Sequence, residues 1–225
     1  MINNRNMVIK MEIKPQRYRL AIVFHTLFFP FTYPELIDSL KKREYSVPPP
    51  PRPAPTGQRV YVGGHIATKN GCIIDVNEEK KTLAGEGSQV ENVIKSIEEL
   101  RDMVEEDFRL NLERDVDYIE LVSDLVVKSD KSPLKDIEGF NNKYSAFNGI
   151  MGMETSAYSI SIVPKGFLPS SKKWFDIRIE PRVTTPDREY FIHAIYRDEN
   201  IGDVLAFARE VNSKILSLIE KIGGK

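Results

Sequence analysis

The chain has 225 residues, carries 32 Lys+Arg against 33 Asp+Glu, and is 41% apolar. That length supplies core for one large domain or two intimately packed halves, while a formal net charge of −1 excludes the global basic field that drives nonspecific nucleic-acid binding. A single cysteine, Cys72, excludes an intrachain disulfide and Cys-rich metal sites, and it fits a reducing cytoplasm.

Residues 1–16 read as an N-terminal extension, and two α+β halves follow, 17–115 and 116–225. In the first half Tyr18, Leu20, Ile22 and Phe24 alternate on one face, which predicts a strand over 17–27. The apolar run 20–31 follows basic residues as a signal or membrane segment would. It is shorter than the ~20 residues a spanning helix needs, contains His25 and Pro30, and leads into no small-residue cleavage site. A buried strand accounts for it. The next helix is announced by Thr32 as N-cap, Pro34 in the first turn and Glu35 three residues after the cap, with Leu36, Ile37 and Leu40 as its apolar side.

Residues 46–57, "SVPPPPRPAPTG", hold six prolines within eight positions. A polyproline II segment of that length spans ~25 Å at ~3.1 Å per residue and loses little entropy on ordering, so it reads as a stiff strut between helix and sheet. Its arginine is out of register with the basic-plus-PxxP spacing of SH3-type ligands. Two strand-like runs then flank Asn70-Gly71, a pair suited to a type I′ hairpin, and "KTLAGEG" adds or extends a strand. Ser88 and Glu91 form a capping box that opens a long helix, with Val90, Val93, Ile94, Ile97, Leu100, Val104 and Phe108 at helical spacing.

The second half repeats this order. Ile119, Leu121, Leu125 and Val127 mark a strand over 116–128, and Ser132-Pro133 caps a short helix carrying Leu134, Ile137 and Phe140. A short strand is expected over 158–163 and a hairpin from 174–181 and 189–197. Val204, Leu205, Ala208, Val211, Ile215, Leu218 and Ile222 mark a terminal amphipathic helix. Duplicated strand-helix-strands-helix halves of this size best bury their apolar faces as one largely antiparallel α+β sheet with helices packed on one side, leaving the other side open. The element order resembles the duplicated saddle of the TATA-box-binding protein fold, a likeness of topology that carries no function with it.

Familiar catalytic and ligand motifs fail on their details. Gly85-x-Gly87 lies before a helix as a phosphate cradle would, but Val90 stands where the third glycine belongs and Glu86 would repel phosphate. "PDREY" at 186–190 has the Pro-Asp of metal-dependent nucleases without the lysine two residues beyond the second acid, and a hairpin turn explains it. His25, His65 and His193 have no metal-ligand spacing, although alternation places His25 and His193 on the open side, where they could meet. No cofactor and no metal is expected.

The 174–197 hairpin carries most of the functional signal. Phe175, Ile177, Ile179, Tyr190, Ile192 and Ala194 belong under the helices; Trp174, Asp176, Arg178, Glu180, Arg182, Phe191, His193, Ile195 and Arg197 belong on the reverse. Aromatic residues interleaved with arginines suit a binding sheet, so Trp174, Arg178, Arg182, Phe191, His193 and Arg197 are the candidate binding residues. The same pattern also reads as cross-strand ion pairs, Arg178 and Arg182 with Asp176, Glu180 and Glu189, on a solvated face. The expected function is a cytoplasmic binding or scaffolding module without catalysis. Its open face would engage a protein partner or a second copy in preference to nucleic acid, and no membrane. A small-ligand cup or enzyme using Asp176, Glu180 and His193 is the alternative, and no nucleophile with a base at readable spacing supports it.

Overall fold

Two thirteen-residue strands form the middle of the molecule. In this computed structural model, which describes residues 11–25, 34–49, 64–140 and 142–224, β1 (Glu12–Phe24) runs antiparallel to β5 (Val116–Lys128) along nearly its whole length. Their apolar phases coincide: Leu20 lies opposite Leu121 and Ile22 opposite Ile119, so one face of the pair is continuous hydrocarbon. β1 begins five residues earlier than alternation predicts, because a register shift between Pro15 and Arg17 returns Ile13 to the apolar side, opposite Val127. Residues 12–16 therefore belong to the sheet.

Outward from this seam each side carries three further strands. On one side β4 (Thr82–Gly87), β3 (Cys72–Asn77) and β2 (Gly64–Lys69) follow β1; on the other, β8 (Glu189–Asp198), β7 (Trp174–Pro181) and β6 (Ile160–Ile162) follow β5. All eight strands pair antiparallel in the order β2-β3-β4-β1-β5-β8-β7-β6. Asn70 (φ 51°) and Gly71 (φ 74°) make the β2–β3 turn with the two positive φ values of a type I′ hairpin.

Six α-helices complete the described fold: α1 (Pro34–Lys42), α2 (Val90–Glu106), α3 (Leu112–Asp115), α4 (Pro133–Phe140), α5 (Asn148–Met151) and α6 (Ile201–Ile222). The two long ones bury Val93, Ile97, Leu100 and Val104 of α2 and Val204, Ala208, Val211 and Ile215 of α6 in one core with Tyr18, Leu20, Leu121, Leu125, Ile179 and Ile192 of the sheet. At about 25 cal/mol per Å² of apolar surface, this burial is the dominant stabilising term.

Several local expectations change. The N-cap of α2 is Gln89 without a side-chain hydrogen bond, so the Ser88–Glu91 capping box does not set its start. Ser132 does cap α4, its Oγ accepting from the Lys135 N–H at 3.4 Å, while Phe140 is 54% exposed and is not core. Gly85 and Gly87 lie inside β4, where a Cβ would meet Cys72 Sγ at 3.2 Å and the Gly71 carbonyl at 3.0 Å. These glycines admit the close approach of α2 and the neighbouring hairpin. Thr32 and most of the proline strut lie outside the described residues. Among those described, no helix is long and apolar enough to cross a membrane.

Candidate binding face of the sheet

Strand alternation that sends Tyr18, Leu20, Leu125 and Ile192 under the helices sends Arg17, Arg19, Asp124 and His193 to the opposite face. The ladder aligns them in rows. Arg17, Asp124, His193, Arg178 and Ser161 stand in one line across β1, β5, β8, β7 and β6. The next row runs Arg19, Val122, Ile195 and Asp176, and the one beyond it Ala21, Glu120, Arg197 and Trp174. On the other side of the histidine row stand Val126, Phe191 and Glu180.

This face is a lattice of charge pairs over small and branched apolar residues. Arg17 holds Glu86 at 2.9 Å and reaches Asp124 at 3.9 Å; Arg19 spans Asp75 at 3.3 Å and Glu86 at 4.0 Å. Arg178 pairs with Glu180 at 2.8 Å, Arg182 with Glu189 at 2.7 Å, and Arg197 with Glu120 at 3.6 Å. The Arg182 guanidinium and the Thr185 hydroxyl beside Glu189 hold its carboxyl below the usual range. Ala21 and Ala84 are buried on this side of the sheet, in keeping with aliphatic stems of long charged neighbours lying across them.

The hairpin lies in the expected register, with Phe175, Ile177 and Ile179 on the helix side. The six candidate residues differ in availability. Arg178, with 56% of its side chain exposed, Arg182 and His193 are open to solvent, and Phe191 is half-buried. Trp174 is only 8% exposed and shares a small cavity with Pro164 and Phe167, so it supports the face from within. Arg197 is held by Glu120, by the Tyr118 ring at 4.8 Å and by the Pro169 carbonyl, to which it donates at 3.1 Å.

The three histidines do not meet. His193 Nδ1 lies 2.6 Å from Asp124 Oδ1 at the centre of the face. His25 follows the far end of β1, where its backbone N–H donates to the Asp115 carbonyl, and His65 lies on the terminal strand β2. Asp176, Glu180 and His193 surround Arg178, but each has its own partner: Asp176 accepts from Ser161, Glu180 pairs with Arg178 itself, and His193 faces Asp124. The Asp124–His193 pair has the form of a base dyad. Cys72 is no nucleophile for it, since the thiol is fully buried on β3 and burial pushes its pKa up.

Reasoning from the hairpin alone misses Asp124, Arg17, Arg19 and Glu86, which complete the face from other strands. For Arg17, Arg19 and Asp124 the signal lies in the alternation of β1 and β5, where each occupies the phase opposite Tyr18, Leu20, Leu121 and Leu125; Glu86 lies on β4, opposite Arg19. Among the described residues no three of His, Cys, Asp and Glu converge to hold a metal ion. The chain matches no protein-family model and no curated protein.

Proposed function

We propose that this protein is a non-enzymatic binding module whose open sheet face receives a protein partner. The observation that carries the reading is half-buried apolar surface on both sides of the central Asp124–His193 row, Val122 with Ile195 on one side and Phe191 on the other, set among charges already paired within the face. Partners with an apolar anchor and a few complementary charges recognise such a surface. A phosphate backbone would have to displace Glu86, Glu120 and Glu180 from Arg17, Arg197 and Arg178, which favours protein over nucleic acid. We place the module in a reducing compartment such as the cytoplasm, where the lone buried Cys72 stays a thiol, and read the repeated element order as the product of duplication.

The test is capture from the native cell by the wild type, by Phe191→Ala and by the double variant Arg178→Ala/Arg182→Ala, each first shown to be folded. A protein captured by the wild type should be lost or weakened about tenfold or more with Phe191→Ala. Nuclease-sensitive capture, with a log–log salt slope that falls by roughly 0.9 per phosphate contact removed, would assign the face to duplex DNA. Normal capture by all variants would leave the face merely solvated and defeat the proposal.

A further inference from the structure

The two ends of the sheet are finished differently. At the β2 end, Ser46 exchanges both backbone hydrogen bonds with Thr68 at 2.9 Å, and a register shift between His65 and Ala67 bends the strand. Both devices blunt an edge. At the other end β6 pairs only with β7 among the described residues, and its sequence, Ile160-Ser161-Ile162, contains no charge, proline or glycine. An edge of that kind is a template for another strand.

Exposed apolar residues are concentrated in the chain segments on either side of this strand. Phe140, Phe147, Ile150, Tyr158, Phe167 and Leu168 are all between 46% and 79% exposed. They flank β6 in the chain, and the segment before it is folded back by Thr155, which donates to the Tyr144 carbonyl, and by Ser156, which donates to Glu138 of α4. Below the edge, a groove of about 430 Å³ opens between Ile160, Ile162 and Val163 on one wall and Phe140, Leu218 and Ile222 on the other. At 150–250 Å² per aromatic, the half-exposed rings of Phe140, Phe147, Tyr158 and Phe167 present roughly 400 Å² in these segments, about half of the ~800 Å² per partner of a standard interface.

We infer that β6 pairs antiparallel with β6 of a second copy, about a two-fold axis through Ser161, joining two eight-stranded sheets into one. The strand is its own complement. With Ser161 opposite Ser161, each Ile160 faces the other copy's Ile162, and all four isoleucines lie on the helix side, where the charged residue lining the groove, Lys221, is exposed. An isologous contact of this kind closes after two copies. It uses the backbone edge of the sheet, where the open face ends at Ser161, and its test reads association of the chain with itself, so it can fail while partner capture by the face succeeds.

Sedimentation velocity and cysteine cross-linking on the full chain test it. Wild type should sediment as a dimer at about 100 μM, and Ser161→Lys, which sets two like charges opposite each other, should shift the dissociation constant upward by at least tenfold. Directly opposed residues in antiparallel strands lie ~4.5–5.5 Å apart at Cα, within disulfide range. The Ser161→Cys variant should therefore form a reducible covalent dimer on mild oxidation, whereas the His65→Cys variant, altered on the opposite edge, should form none under the same conditions. A monomeric wild type overturns the inference and leaves the edge for an extended segment of another protein. A dimer in which the Ser161→Cys variant cross-links no faster than the His65→Cys variant overturns it as well, because the contact would then lie elsewhere.

Discussion

Two tyrosines fasten helices to the sheet through polar contacts. Tyr18 donates to Asn212 Oδ1 of α6 at 2.7 Å, and Tyr190 donates to Asp136 Oδ2 of α4 at 2.8 Å. Burial, and for Tyr190 also the facing Asp136 carboxylate, raises both phenol pKa values. The folded protein thus keeps protons that the unfolded chain releases near pH 10, so the stabilisation is complete below that pH and falls as pH rises beyond it. The urea midpoint should decline above about pH 10, and Tyr190→Phe should flatten that decline while lowering stability at pH 7 by about 1.5–3 kcal/mol, the value of a hydrogen bond to a charged acceptor. Gly87→Ala should cost about 1–3 kcal/mol in the same assay, since the new methyl would press on the Gly71 carbonyl, a backbone atom with little room to yield. The inward placement of Tyr18 was legible from alternation. Its partner was not, because Asn212 lies 194 residues away and nothing local to either residue encodes the meeting.

At the scale of single elements, periodic segments could be read and their junctions only partly. The strands of the seam and both long helices follow from apolar spacing, and the β2–β3 turn follows from Asn70-Gly71 because few other pairs tolerate two positive φ values. Helix starts depend on one residue's geometry, and there the two long helices diverge. Asn200 caps α6 by accepting from the Gly202 N–H at 2.8 Å, whereas Ser88 lies one residue outside the α2 cap. Asn200→Ala should therefore lower the thermal midpoint by the equivalent of about 0.5–2 kcal/mol, and Ser88→Ala should leave it within about 0.5 kcal/mol of wild type. Calorimetry on the two variants side by side separates these outcomes; equal losses would show that a capping box operates at Ser88 after all. On the candidate face, one hairpin revealed its own alternation but not which strands lie beside it. The contributions of Arg17, Glu86 and Asp124 consequently emerge only with the sheet order.

Across the whole molecule, the core is one cluster that runs from Ile74 of β3 through the seam to Ile179 of β7. Neither half can expose its side of that cluster without exposing the other's, so unfolding should be a single cooperative transition. The sole tryptophan, Trp174, reports from the second half, and far-UV circular dichroism reports from both. Their urea curves should superimpose, and a fluorescence midpoint well below the dichroism midpoint would show that the halves melt separately. The central position of β1 has a mechanical consequence. Because β1 is flanked on both sides by antiparallel neighbours, β4 and β5, a force drawn along it from Glu12 loads two ladders in shear, so that many hydrogen bonds must yield together. A force drawn from Ile222 peels α6 from the sheet turn by turn, so that its side-chain contacts, from Lys131 at the Gly223 carbonyl to Tyr18 at Asn212, yield one after another. Resistance to traction thus depends on where the pull is applied, high along the first strand and low from the last helix.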